Sequence, residues 1–237
     1  MLTFAITTTT KLAAISLHEG EKLLGEIRME VLKTHSTTIL DQIDRLFEWT
    51  GKNLEEVENV LVSIGPGSFT GVRIAISVVK GLFFGKKVNL YSINELDANA
   101  YQVYLGIINS IEKNSEEKIR IYSLIDSGKE KVYYAEYIVI DGDFKRKIEY
   151  RVGKLDDVLK ECRASCMEMG KVYFSGDAVF NYKNKIKDTL KDKAILVEDE
   201  RLKISSSTFF RMFLMGKLEK SDIYSLKSKK KKKTQAE

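Results

Sequence analysis

Histidine, cysteine and proline are scarce in this chain: its 237 residues include two histidines, two cysteines and one proline. His18 and His35 both lie early, and no histidine follows His35. Most of the chain therefore has no imidazole to offer a metal, and no Ser-His or metal constellation for peptidase chemistry can be assembled. Cys162 and Cys166 stand four apart in a helical pattern, sharing a face without the geometry for an easy disulfide. They read as buried or partly buried thiols. A single proline and 15 glycines exclude a low-complexity chain. No apolar run reaches membrane-spanning length, and the opening MLTFAITTTTK breaks into threonines by residue 7, leaving no secretory h-region. These absences predict a cytoplasmic protein without membrane association.

Net positive charge is missing from the body of the chain, although the whole chain carries +5. Residues 227–237 hold six lysines (Lys227 and Lys229 to Lys233) against one acid, Glu237, so this stretch alone accounts for the whole excess. Such a run reads either as a disordered, solvated tail or as a weak contact to a tRNA backbone.

What is present is enough apolar material, 43% of residues, for a substantial core and two domains. The centre of the chain is VLVSIGPGSFTGVRIAISVVKGLFFG, Val60 to Gly85. Val60, Leu61, Val62 and Ile64 read as a buried strand, and Gly65-Pro66-Gly67 turns the chain sharply. A helix follows, with Ser68 or Thr70 as N-cap. Phe69, Val72, Ile76, Val79 and Phe83 form one apolar face, and Ile74, Ala75, Val78, Gly81 and Leu82 a second; Arg73, Ser77 and Lys80 make the only polar stripe. A helix apolar nearly all round needs cover on more than one side. The turn itself reads in two ways: as an anion site made of backbone N–H groups, or as glycines required by close packing. It lacks both the Walker and the Gly-x-Gly-x-x-Gly patterns.

Around this centre the pattern predicts three opening strands (LTFAITT, KLAAISLHE and KLLGEIRMEV), with a turn near Glu19-Gly20-Glu21. A helix from Ser36 to Trp49 follows, capped by Gly51, then a capping-box turn at Asn53. A strand at Val88 to Ser92 comes after the central helix. The second half repeats this order: a helix over Asn94–Lys113, strands at Ile119–Ile125, Val132–Ile140 and Lys145–Val152 with an Asp-Gly turn, a helix at Leu155–Met169, a strand at Val172–Ser175, a helix near Asn181–Leu190 and a strand at Ala194–Glu198. A closing helix at Ser206–Lys217, rich in phenylalanine, is expected to pack on the first half.

The run GPGSFTGVRIAISVVKGL closely resembles the signature of the TsaB (YeaZ) family, with support from His35 and Gly51 upstream and IDSGKEKVYYAEY downstream. The resemblance implies an α/β actin-like ATPase (ASKHA) fold of duplicated βββαβα units. The first subdomain would span 1–98 plus 203–226, the second 99–202, with a disordered Lys-rich tail at 227–237. It also implies a non-catalytic subunit that pairs with a TsaD-like threonylcarbamoyltransferase and, with a TsaE-like ATPase, serves threonylcarbamoyladenosine synthesis on tRNA. In isolation a homodimer is expected. The residues singled out for pairing are His35, Ile39, Ile43 and Phe47 on one helix and Phe69, Val72, Arg73, Ile76, Val79, Lys80 and Phe83 on the other; Gly65, Pro66, Gly67 and Gly71 form the tight turn. Arg73 and Lys80 read either as solvated or as ion-pairing across an interface. His35 reads as a local cap or partner contact rather than a catalyst.

The alternative is an ATP-dependent kinase or nucleotide hydrolase of the same fold. ATP users in the superfamily generally place an acid at the end of the first strand, where TsaB sequences commonly read Ile-Asp-Thr. This chain reads Ile6-Thr7-Thr8, and a hydroxyl brings Mg²⁺ no charge. Asp126-Ser127-Gly128 resembles the superfamily's second phosphate turn, but is equally an ordinary hairpin turn. The stretch corresponding to the histidine pair of TsaD relatives, SINELDANAY, has no histidine. No catalytic, cofactor-binding or metal-ligating residue, and no cofactor, is expected.

Overall fold

Alternating large apolar residues organise the opening of the chain into an antiparallel meander. In the computed structural model, which describes residues 1–30, 38–108, 118–169, 171–197 and 203–227, β1 (Leu2–Thr7) pairs with β2 (Leu12–Glu19), and β2 with β3 (Lys22–Glu30). The chain then crosses through α1 (Ile39–Thr50) to β4 (Val57–Ser63), which lies parallel to β1 with Phe4 beside Val60 and Ile6 beside Val62. α2 (Phe69–Phe83) leads to β5 (Asn89–Ile93), parallel to β4.

After α3 (Glu95–Ile107) the pattern recurs. β6 (Ile119–Gly128), β7 (Lys131–Ile140) and β8 (Asp143–Lys154) form a second meander, α4 (Leu155–Met169) crosses to β9 (Val172–Ser175) beside β6, and α5 (Ala178–Leu190) leads to β10 (Ala194–Leu196). The Asp-Gly turn between β7 and β8 falls at Asp141 and Gly142, both at positive φ as such hairpins need. α6 (Ser206–Leu214) follows, then β11 (Glu219–Ser221), antiparallel to the edge of β5. The sheet orders are β11-β5-β4-β1-β2-β3 and β10-β9-β6-β7-β8. The two halves therefore match, each meander being extended by two parallel strands.

The chain divides into two compact units, one formed by residues up to Ala98 and again from Ile204, the other from Asn99 to Lys203. In the first, β1 is buried along its whole length, because its sheet is covered on both faces. Phe4, Ile6, Ile15 and Leu17 pack with Ile39, Ile43, Leu46 and Phe47 of α1 and with Val72, Ala75, Ile76, Val79 and Phe83 of α2 in one core. At about 1.5–3 kcal/mol per large side chain, this cluster is the main source of the unit's stability. The opposite face takes α6, whose Phe210 stacks on His18 of β2 at 4.0 Å between ring centroids. Glu26 of β3 anchors the start of α6: its Oε1 accepts from Ser205 Oγ (2.7 Å), Ser206 Oγ (3.0 Å) and the Ser207 N–H (3.1 Å). A carboxylate at a helix N-terminus satisfies orphan donors and opposes the helix dipole.

The expected closing helix was longer than the observed one. It ends at Leu214, where the chain turns to lay down β11, a strand too short for any periodic signal. α5 begins at Ala178 rather than Asn181, since Ala178 and Val179 are buried and continue its inward face. In the second unit Arg120 and Glu136 form a buried pair at 2.6 Å, with Tyr122 also bonded to Glu136. Cys162 is buried and stands outside any disulfide. His35, the side chain of Cys166 and the lysines from Lys229 onward lie outside the described residues. Among the described residues no helix is long and apolar enough to cross a membrane.

Burial has a pH consequence at His18, which is 3% exposed. Its pKa is pushed down to about 4, first by desolvation and then by the Arg211 cation. The unfolded chain takes up this proton below its ordinary value near 6.5, whereas the folded protein stays neutral until about pH 4. Stability should thus be full above pH 6.5 and fall as the pH drops, by about 1–2 kcal/mol between pH 7 and pH 5. His18→Gln should flatten that part of the curve, measured as urea midpoints at the two pH values.

Candidate functional site: the central turn and the outer face of its helix

Three segments meet at the end of β4. The Ile64 N–H donates to Ile93 O at 3.0 Å, and the Glu95 N–H to Gly65 O at 2.9 Å, which ties the turn to the start of α3. Ser68 caps α2, its Oγ accepting from the Gly71 N–H at 3.3 Å. The loop after β1 presses directly on this cap. The Ser68 N–H donates to Thr9 O at 2.6 Å, and Thr8 Oγ1 donates to Gly71 O at 2.6 Å. A Cβ on Gly67 would lie 2.3 Å from Thr9 O, and one on Gly71 only 1.9 Å from Thr8 O. The glycines are there because backbone meets backbone, and the donors of Ser68 and Gly71 are spent inside the chain. The packing reading of the turn prevails over the anion-site reading.

The missing acid at Thr7 has a counterpart elsewhere. Glu95, fully buried at the first position of α3, accepts from Thr7 Oγ1 at 3.1 Å and from the hydroxyl of Ser63 at the end of β4. Thr7 Oγ1 also lies 3.2 Å from Thr9 Oγ1. A carboxylate therefore does stand at the end of the first strand, delivered by a helix, but it is closed off by hydroxyls. This residue escaped the sequence reading because it is 88 positions from Thr7. The second turn is likewise occupied by its own chain. Asp126 accepts from the Gly128 N–H (2.7 Å), Asn181 Nδ2 (2.7 Å) and Tyr182 OH (3.3 Å), while Asp177 accepts the Asp126 N–H at 2.9 Å. Burial, with the Asp126 carboxylate adding to it, pushes the Asp177 pKa up to about 6. Asp126-Ser127-Gly128 closes the β6–β7 hairpin, as Gly128 pairs with Lys131. Both carboxylates of this turn are thus engaged by groups of the same chain. Among the described residues, no group of three His, Cys, Asp or Glu side chains is placed to hold a metal ion.

The two apolar faces of α2 have different fates. Val72, Ala75, Ile76, Val79 and Phe83 face the sheet, and so do Ile39, Ile43 and Phe47 of α1. Seven of the residues expected at a partner interface (Ile39, Ile43, Phe47, Val72, Ile76, Val79 and Phe83) thus belong to the core of their own chain. The physical reason is the inward side of β1 and β4, which offers Phe4, Ile6, Val60 and Val62 as partners for that stripe. Ala75, assigned from spacing to the second face, is also fully buried.

The outward side keeps Phe69 and Arg73 from the expected set, and Lys80 half-buried at its margin. Phe69 is 65% exposed, with the Arg73 guanidinium 3.7 Å from its ring centroid. Leu40 of α1 is 49% exposed. Phe69, Arg73 and Leu40, together with Thr70, Ile74, Ser77 and Val78, line an open groove of about 330 Å³ between α1 and α2, with Ile39 at its floor. Leu40, Ile74, Ser77 and Val78 were missing from the expected set; the signal for Ile74 and Val78 was the second apolar stripe itself.

The profile of the family described as "TsaD: tRNA N6-adenosine threonylcarbamoyltransferase" matches residues 25–219. The chain is 29% identical over 150 residues to the tRNA threonylcarbamoyladenosine biosynthesis protein TsaB of Haemophilus influenzae, covering 62% of this chain and 59% of that protein. Against the TsaB of Escherichia coli it is 27% identical over 137 residues, covering 58% and 55%. The match thus spans little more than half the length of these curated relatives. A crystal structure from Pseudomonas aeruginosa, of a protein with similarity to peptidase YEAZ, superposes with a TM-score of 0.75 at 19% identity, covering 97% of this chain and 98% of that one. With the duplicated meander, the packed Gly-Pro-Gly turn and these similarities in place, this chain belongs to the tRNA N6-adenosine threonylcarbamoyltransferase family, on its TsaB (YeaZ) branch.

Proposed function

We propose that this protein is a non-catalytic subunit of the machinery that makes threonylcarbamoyladenosine beside the anticodon of tRNA, and that it pairs with a TsaD-like threonylcarbamoyltransferase through the outer face of α1 and α2. The single observation that carries the reading is the groove around Phe69: a large aromatic ring left 65% exposed beside Leu40 at 49%, on helices whose other sides are already buried. A partner covering a standard area of about 1,600 Å² in total would bury it. Arg73, stacked on Phe69, is of a residue type enriched among interface hot spots. When the transferase is absent, the same face pairs two copies. A TsaE-like ATPase joins the assembly, and the chain acts by holding its partner in a competent conformation. It donates no catalytic group.

Reconstitution tests this. The purified chain mixed with a TsaD-like subunit should elute as a complex, and transfer of the threonylcarbamoyl group to tRNA should require both. Full transfer without this chain, or turnover by this chain alone, would overturn the assignment.

A further inference from the structure

After α6 the chain changes sides. Gly216, at φ 64°, ends the helix: its N–H donates to Phe213 O at 2.9 Å, and the Lys217 N–H donates to Met212 O at 3.0 Å. The following residues run along the edge of the sheet as β11, with Glu219 beside Ser92 and Ser221 beside Leu90. They finish on the face opposite α6, where Leu226 is 4% exposed in the core that also holds Phe83 and Leu90, and Ile223 packs against that core. Residues 219–227 thus wrap the edge of β5 as a strap. Among the described residues no further strand pairs beyond it.

Little holds the strap in place. Besides the three residue pairs of the β11–β5 ladder, Ser221 Oγ donates to Ser92 Oγ at 2.9 Å. Tyr224 meets Phe84 edge to face at 5.8 Å between centroids, yet each ring is 67% exposed. Asp222 accepts the Tyr224 N–H at its Oδ1 and the Ser225 hydroxyl at its carbonyl, so these bonds stay within the strap itself. Glu219, Lys220, Asp222, Tyr224, Ser225 and Lys227 are all exposed. Ordering nine residues costs backbone entropy, which one buried leucine and a three-residue ladder offset only narrowly. Segments with so few buried contacts open at far lower free energy than the core they rest on.

We propose that residues 219–227 are a latch that releases as a unit while the rest of the chain stays folded, and that its release uncovers the outer edge of β5. Docked, the strap presents only a three-residue edge, too short to template another strand. Released, it leaves the β5 backbone groups that faced β11 unpaired, ready for an added strand, and withdraws Leu226 from beside Phe83 at the end of α2. The latch stands on other residues than the groove around Phe69 and does not depend on that reading.

The test compares Leu226→Ala with Leu46→Ala in the full chain, since both leucines belong to one core cluster, at 4% and 2% exposure. Truncating a core leucine ordinarily lowers the urea midpoint markedly, whereas a residue in a segment that opens by itself can lose no more than that segment's own docking free energy. Leu46→Ala should therefore lower the midpoint clearly, and Leu226→Ala hardly at all. Native-state hydrogen exchange, followed residue by residue, should show the strap amides and the amides of residues 90–92 that face β11 exchanging about 100-fold or more faster than those of β1 and β4, and about tenfold faster still in Leu226→Ala. The proposal is overturned if Leu226→Ala shifts the midpoint as far as Leu46→Ala, or if the strap amides are as protected as those of β1, since the strap would then be an integral part of the core. It is also overturned if exchange in Leu226→Ala is unchanged at the strap, or if the faster exchange spreads to β1 and β4.

Discussion

Phe69→Asp should leave the protein folded and weaken its pairing with a TsaD-like subunit by roughly 30- to 1,000-fold, the range of about 2–4 kcal/mol for a central anchor residue. The ring is 65% exposed and lies outside the cluster that packs α2 on the sheet, so a carboxylate there stays hydrated in the lone chain. In the proposed complex the same charge would be buried against apolar surface, and the Arg73 stack on Phe69 would be lost. The matching control sits ten residues along the same helix. Val79 is fully buried, and Val79→Asp should cost more than about 4 kcal/mol of folding stability, because an ionised side chain has no partner in that core. Circular dichroism separates the two variants, and analytical ultracentrifugation with the partner reads the pairing. Intact pairing by folded Phe69→Asp and Leu40→Asp would rule out this face.

The second large effect concerns Thr7 and Glu95. Thr7→Asp places a second carboxylate about 3 Å from the first in a fully buried site, and like charges at that distance repel by about 5–6 kcal/mol even at an effective dielectric of about 20. Glu95→Thr removes the acceptor of the Thr7 and Ser63 hydroxyls and should cost about 2–3 kcal/mol. The double variant, with the acid on the strand and the hydroxyl on the helix, restores one carboxylate among hydroxyls and should recover most of both losses. A double-mutant cycle on urea midpoints would then give a coupling energy of several kcal/mol. Additive losses would mean that the two residues do not form one unit.

In the sequence, the missing acid at Thr7 counts against the nucleotide alternative. Ile6-Thr7-Thr8 read alone is a strand end without its acid, whereas the folded chain supplies Glu95 from 88 positions away. Local patterns served well wherever the decisive interaction is local. The Asp-Gly turn, the Gly51 cap at φ 64° and the capping box at Asn53 and Glu56 all appear where the residues indicate, since each is settled within about five positions. The strand β11 did not show, being three residues long and held by pairing with β5 rather than by its own pattern.

The duplicated meander, the tight turn and an α2 apolar on two sides were determined by the sequence alone, because periodicity and turn chemistry act over short separations. Which of those two sides is hidden was decided only by the tertiary structure. Spacing alone treats both stripes alike; the inward faces of β1 and β4 choose Val72, Ile76, Val79 and Phe83, and leave Phe69, Ile74 and Val78 to line the groove.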